Sequence, residues 1–290
     1  MLDRRVFIIF HQGIAPTITG TDKYPDLVQY YATNTDYKKY ILTSNGESEL
    51  LDKRDDVLLE YRLPRYDASI HKKGFMETSA YIHIYRNRLY LPYKFIGVTQ
   101  YDMIWNNAVA HRIKSLNQKN KVLAQTSGTI LSRGRWHYLM FAERFPLDFL
   151  IDSFNKFFNT RCAREDLKGR PLTLWQTYFM HRSVFEDLSR WLSVLVNEVY
   201  PWANRPPYET HWGFLGSLIE RAESIFFALR KDLAISDIGL NHSENVVRSL
   251  KITKEHYGAK QGPANMSPIE ALRGRAKSWL QYIKRSGNSS

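Results

Sequence analysis

The chain has 290 residues and a mass of 34.1 kDa, with 43% apolar and 24% charged residues. That composition excludes a disordered chain and allows one large domain or two small ones. The formal charge of +12 favours anionic partners such as nucleotides, nucleic acid or an acidic membrane face, and a lone cysteine, Cys162, excludes an intrachain disulfide and a cysteine-built zinc site.

In chain order, Val6–Phe10 is an unbroken apolar run of the kind that forms a buried parallel strand. It is too short for a signal peptide or for a membrane span, which needs roughly 20 apolar residues. The expectation is a soluble, cytoplasmic protein, at most peripheral to a membrane. Lys39–Thr43 and Val57–Tyr61 are the next strands predicted. Glu77–Arg86 reads as a helix, because Ala80/Ile84 and Tyr81/Tyr85 pair four residues apart. Lys94–Thr99 is a strand, Trp105–Leu116 a helix and Lys121–Thr126 a strand. This β-α-β rhythm implies a parallel sheet with helices on both faces.

Beyond residue 130, Phe145–Phe158, Val184–Val199 and Gly213–Leu229 read as helices and Leu172–Met180 as a strand. Tyr200–Tyr208 contains three prolines and reads as a loop. Asp232–Gly262 is polar and weakly patterned, as a linker or surface wrap would be. Ser267, Pro268 and Glu270 form a capping box with proline at the first helical position. The helix they open has an apolar stripe of Ile269, Leu272, Ala276, Leu280 and Ile283. It also carries Arg273, Arg275, Lys277, Lys284 and Arg285. Such a helix suits packing on the rest of the chain, an anionic membrane or a partner.

The strand ending at Thr99 runs straight into Gln100-Tyr101-Asp102. Ligands of open α/β sheets bind beyond the carboxyl ends of strands, and a carboxylate there can hold a divalent cation against a diphosphate leaving group. The alternative is that Asp102 caps the following helix. His11 and Gln12 end the first strand, where a base or ribose would sit, and Thr43, Ser44 and Asn45 end the predicted second strand similarly. No phosphate-loop glycine pattern, Gly-x-Ser-x-Gly or His-Glu-x-x-His occurs.

Three stretches, Leu63-Pro64-Arg65-Tyr66-Asp67, Met76 to Asn87 and Tyr93 to Met103, follow one another in an order that resembles a glycosyltransferase family. That family is found in capsular-polysaccharide and lipopolysaccharide clusters and in large DNA viruses. Leu172 to Trp191 and the helix Gly213 to Arg221 are similar to its acceptor-side segments. The resemblance implies a GT-A-like α/β fold, a Rossmann-like, mostly parallel sheet flanked by helices. It divides the chain into a catalytic domain over 1–230 and a C-terminal extension over 231–290. Residues of about 1–130 would form the nucleotide-sugar half and 131–230 the acceptor half.

The implied activity is transfer of a sugar from a UDP- or GDP-linked donor to a hydroxyl of a surface glycan or glycoprotein. The partners are then the nucleotide-sugar donor and the glycan acceptor, and peripheral membrane contact through the C-terminal helix stays one of the open readings of that helix. The family's Asp-x-Asp position falls on Gln100-Tyr101-Asp102, so its first aspartate is a glutamine here, which ligates without bringing charge. His11, Gln12, Thr43, Glu77, Ser79, Gln100, Tyr101 and Asp102 are the expected donor-binding set. Asp102 and His211 are the expected ligands of Mn2+ or Mg2+. Glu220 is the first candidate for the general base, with Glu209 or Asp187 next in line. Trp202, Tyr208 and Trp212 are candidates to stack on the acceptor sugar or to be core aromatics. Two other readings stand beside this one, a non-catalytic glycan-binding homologue and a basic nucleic-acid-binding protein. The second is disfavoured because the charge gathers in the tail.

Overall fold

The computed structural model of the protein describes residues 2–10, 16–33, 55–70, 77–130, 147–201 and 214–242. Its centre is a seven-stranded sheet in the order β3-β2-β1-β4-β7-β6-β8. The strands are β1 (Leu2–Phe10), β2 (Val28–Ala32), β3 (Val57–Leu59), β4 (Tyr93–Gln100), β6 (Lys121–Thr129), β7 (Pro171–His181) and β8 (Ala234–Asp237). Every neighbouring pair is parallel except the two made by β7, which runs antiparallel to β4 and to β6. Two further short strands, β5 (Met103–Ile104) and β9 (Asn241–His242), pair with each other. The helices are α1 (Pro16–Thr19), α2 (Thr78–Arg86), α3 (Asn107–Ser115), α4 (Leu147–Phe158), α5 (Arg182–Val199) and α6 (Phe214–Leu229). The class is therefore α/β, with a mostly parallel sheet flanked by helices.

The sheet has two apolar faces because successive side chains of a strand alternate. On β1, Phe7 and Ile9 enter one cluster with residues of α2, α4, α5 and α6, whereas Val6, Ile8 and Phe10 enter a second with residues of α3. The first cluster has an aromatic knot in which Trp191 stacks on Phe226 and meets Phe154 and Phe158 edge-on or tilted. Helices contributed by both halves of the chain thus pack on one face of one sheet.

The sheet departs from the sequence reading at both edges. The strand beside β1 is Val28–Ala32, and Lys39–Thr43 lies outside the described residues, as does the C-terminal capping box with its helix. Ala234–Asp237, assigned above to a linker beyond a boundary at residue 230, is a parallel edge strand on β6. Its residues are all partly or fully exposed, which explains the weak pattern, since an edge strand has little apolar surface to bury. Among the described residues no helix is long and apolar enough to cross a membrane.

Gly97 in β4 fits because it has no side chain. A Cβ there would stand 2.4 Å from Cδ1 of Phe179 on β7 and 3.0 Å from Cγ1 of Val6 on β1. Phe179 is itself buried and has no room to retreat. Gly97→Ala is expected to destabilise the fold by about 1–3 kcal/mol through overpacking. A urea unfolding midpoint unchanged from the parent would contradict this reading of the central strand.

Candidate functional site

From β1 the chain steps outward to β2 and β3 on one side, while β4 lies on the other. The order reverses between β1 and β4, and that switch point is where open α/β sheets leave a crevice at their carboxyl ends. β1 ends at Phe10 and β4 at Gln100, with Gln100 opposite Ile9. The Tyr101 N–H donates to the Ile9 carbonyl at 3.0 Å, and the Trp105 N–H donates to the Thr19 carbonyl at 2.7 Å. These two bonds pin the turn that carries Asp102. Gln100 is half-buried at the rim, whereas the Tyr101 ring turns inward to Phe10, centroids 6.0 Å apart. Asp102 is buried, at 9% exposure. It does not cap α3, because Asn106 occupies that position and its Oδ1 accepts from the Val109 N–H at 3.0 Å.

Immediately after Asp102, β5 pairs with β9, with Met103 opposite His242 and Ile104 opposite Asn241. The return from β8 passes through Gly239, which holds φ near 71°. The Leu240 N–H is received by Gln125 Oε1 at 2.9 Å. The backbone of His242 thereby comes to rest beside the Asp102 turn, a placement that nothing in the local sequence announces.

The second wall of the mouth is a break in β7. Tyr178 pairs with Ala124 and Thr173 with Thr126, so the four residues between Thr173 and Tyr178 stand against Gln125 alone. Trp175 and Gln176, at φ 58° and 41°, are both in the left-handed region. That conformation is costly for residues bearing a side chain and persists only where the surroundings dictate it. Here they do. The Trp175 N–H donates to Glu220 Oε1 on α6, and Tyr81 of α2 donates its hydroxyl proton to the Gln176 carbonyl at 2.7 Å. Gln176 Nε2 donates to Glu223 Oε1 at 2.9 Å and to Thr78 Oγ1 at 3.2 Å. Thr177 Oγ1 donates to the Trp175 carbonyl at 2.8 Å and meets Thr99 Oγ1 on β4 at 3.3 Å.

The carboxyls gathered here behave differently from exposed ones. Glu223 is fully buried, and burial pushes its carboxyl well above the ordinary range; the neighbouring Glu220 and Glu77 push it further in the same direction. Glu77 is buried at the N-terminus of α2. Among the described residues no three His, Cys, Asp or Glu side chains are grouped to hold a metal.

Of the sequence-derived candidates, Gln100, Tyr101, Asp102, Glu77 and Glu220 lie on segments that meet at this edge of the sheet. Ser79 serves a different purpose. Its hydroxyl donates to Glu60 Oε2 at 3.4 Å, while Tyr31 Oη and His83 Nδ1 reach Glu60 Oε1 at 3.1 and 2.8 Å. His83 Nε2 accepts the Asp67 N–H at 2.9 Å, so the proton of the neutral ring sits on Nδ1 and points at Glu60. Asp67 also pairs with Arg86 at 2.9 Å, and Arg65 N donates to Asn87 Oδ1 at 2.9 Å. The Leu63–Asp67 and Glu77–Asn87 motifs therefore lock to each other, beside the sheet rather than over its mouth. Asp187 pairs with Arg230 at the far end of α6, roughly 15 Å along the helix from Glu220, and is not a candidate base. His11, Gln12, Thr43, Glu209 and His211, with Trp202, Tyr208 and Trp212, lie outside the described residues. Sequence reasoning missed Gln176 and Glu223. The one available signal was that Glu220 and Glu223, three residues apart, share a helix face with Ser224 and Phe227 close behind.

No known protein-family profile matches the chain, and no curated protein matches it. The chain is similar to a solved structure described as the WbbM bifunctional glycosyltransferase in its apo form, at 11% identity and a TM-score of 0.48. The similarity covers 84% of this chain and 46% of that one, so the chain spans less than half the length of that protein.

The buried Glu60 cluster generates a stability prediction. His83→Ala removes one donor to a buried carboxyl and the acceptor for the Asp67 N–H. It is expected to cost about 3 kcal/mol or more, read as a lowered urea midpoint. A loss below a few tenths of a kcal/mol would show that water enters and replaces the ring.

Proposed function

We propose that the protein is a glycosyltransferase that moves a sugar from a nucleotide sugar to a hydroxyl of a glycan. The observation that carries this reading is the buried carboxyl of Asp102 at the switch point of a mostly parallel sheet. It leaves β4 where the diphosphate of a nucleotide would lie. The family motifs recognised in the sequence support the same reading, and the strand order accords with the GT-A-like arrangement they imply.

The donor would lie across the carboxyl ends of β1, β2 and β4, where His11, Gln12 and Thr43 are the candidates from the adjoining loops. A divalent cation, Mn2+ or Mg2+, would neutralise the departing diphosphate. Asp102 would hold it, with Gln100 as a neutral ligand and phosphate oxygens of the donor completing the shell. His211 is the histidine expected from the sequence. On the acceptor side, Glu220 would receive the proton of the attacking hydroxyl. One of its oxygens is fixed by the Trp175 N–H, which orients the carboxylate as a general base requires.

A panel of UDP- and GDP-sugars, with and without Mn2+, tests this directly. The expected result is thermal stabilisation by at least one donor, abolished in Asp102→Asn. Stabilisation by none of them would defeat the reading. Glu220→Gln keeps an oxygen for the Trp175 N–H and so preserves the fold, but it cannot take up a proton. It is expected to bind donor normally and to lose turnover by roughly 100-fold or more; near-normal turnover would move the base to Glu209.

The absence of the first aspartate specifically favours one other reading, that of a glycan-binding homologue without catalysis. Donor or glycan binding with no turnover at any metal concentration would select it.

A further inference from the structure

We propose that Glu223 is a positioning residue that holds the left-handed turn of β7 and through it the orientation of Glu220. The inference rests on the glycosyltransferase reading for what Glu220 does, and on geometry alone for what Glu223 does.

The chain of contacts is short. Glu223 Oε1 receives the Gln176 side-chain amide at 2.9 Å. Gln176 is the second left-handed residue, and its own carbonyl is held by the Tyr81 hydroxyl. Trp175 is the first, and its N–H is the group that fixes Glu220 Oε1. Glu220 and Glu223 also stand one turn apart on α6, so the helix and the broken strand form a closed loop of contacts. Releasing Gln176 removes one of the two α6 side chains, Glu223 and Glu220, whose bonds offset the cost of two consecutive left-handed residues. Trp175 would then relax toward the extended form, carrying its N–H away from Glu220.

The surroundings of Glu223 explain why it should be uncharged. The titratable groups facing it are Glu220 on its own helix, Glu77 at the start of α2, and the phenols of Tyr81 on α2 and Tyr178 on β7. None of these is a cation. Burial comes first and, with the like-charged Glu220 and Glu77, favours the protonated form; the hydrogen bonds from Gln176 and Tyr178 pull the other way without overturning it. An ionised Glu223 would push against Glu220 and Glu77 from a fully buried position.

This arrangement sets a pH dependence with a definite sign. The folded chain holds a proton on Glu223 that the unfolded chain gives up at the ordinary carboxyl range. Stability from this group is complete below that range and declines as pH rises through the elevated folded-state value. A glutamine at this position has the same shape, accepts from Gln176 and cannot ionise.

The experiment compares Glu223→Gln, Glu223→Ala and the parent in two assays. In the first, Tm is followed from pH 5 to pH 8. The Glu223→Gln variant should match the parent at pH 5 and exceed it at pH 8. A difference that does not change with pH would overturn the neutral-acid assignment. In the second, turnover of the donor found active with the parent is measured at pH 7. Glu223→Gln should stay within about 3-fold of the parent, while Glu223→Ala should bind donor with unchanged affinity and fall roughly 100-fold in kcat, the scale of a misplaced general base. Equal losses in Glu223→Gln and Glu223→Ala would overturn the proposal, and so would full kcat in Glu223→Ala. If the parent turns over no nucleotide sugar, the glycosyltransferase reading fails and takes the aim at Glu220 with it; the Tm series still decides whether Glu223 is neutral.

Discussion

A strand that leaves its ladder must find partners for the backbone groups it releases. β7 leaves its ladder just above Tyr178, between two neighbouring strands at the mouth of the sheet. Everything peculiar to the mouth follows from that demand. Glu220, Thr78, Tyr81, Gln176 and Glu223 are brought together because the turn at Trp175 and Gln176 needs them. Two helices from separate parts of the chain, α2 and α6, are recruited to one small region of backbone. A polar cluster this complete is costly to build in an apolar core and is most readily understood where backbone direction itself matters.

The elements far from the mouth were legible because they obey simple periodicities. The apolar run of β1, the i,i+4 pairs of α2 and the long stripe of α5 each announce their structure and the face they bury. Val28–Ala32 was missed because Gln29 interrupts its apolar pattern, although the Gln29 amide simply turns aside to the Asp56 carbonyl at 2.7 Å. Ala234–Asp237 was missed because an edge strand with half-exposed residues resembles a linker. Leu172–Met180 was read as a strand, and β7 spans it, but nothing in its composition reveals the left-handed pair. That conformation is imposed from α2 and α6, which are distant in sequence, so local propensity carries no trace of it.

The candidate site was legible only where a strand ran directly into it. Gln100-Tyr101-Asp102 stood out because it continues β4 past the edge of the sheet. Ser79 and the Leu63–Asp67 turn entered through a resemblance to a family, and the structure gives them work in a buried network around Glu60 and His83. Recurrence of a motif records a constraint without saying whether it is chemical or architectural. Here the Tyr66 ring lies against His83, centroids 5.2 Å apart, and the turn is locked to α2 at both ends. That is a reason for its residues to be fixed that needs no ligand.

The two-residue pairing of β5 with β9 joins distant points of the sequence at a sensitive place. The Asp102 turn is therefore clamped from two directions: the Tyr101 N–H ties it to β1, and the Met103–Ile104 pairing ties it to the return from β8. By way of Gly239 and Leu240 the far edge of the sheet braces the residues that follow Asp102.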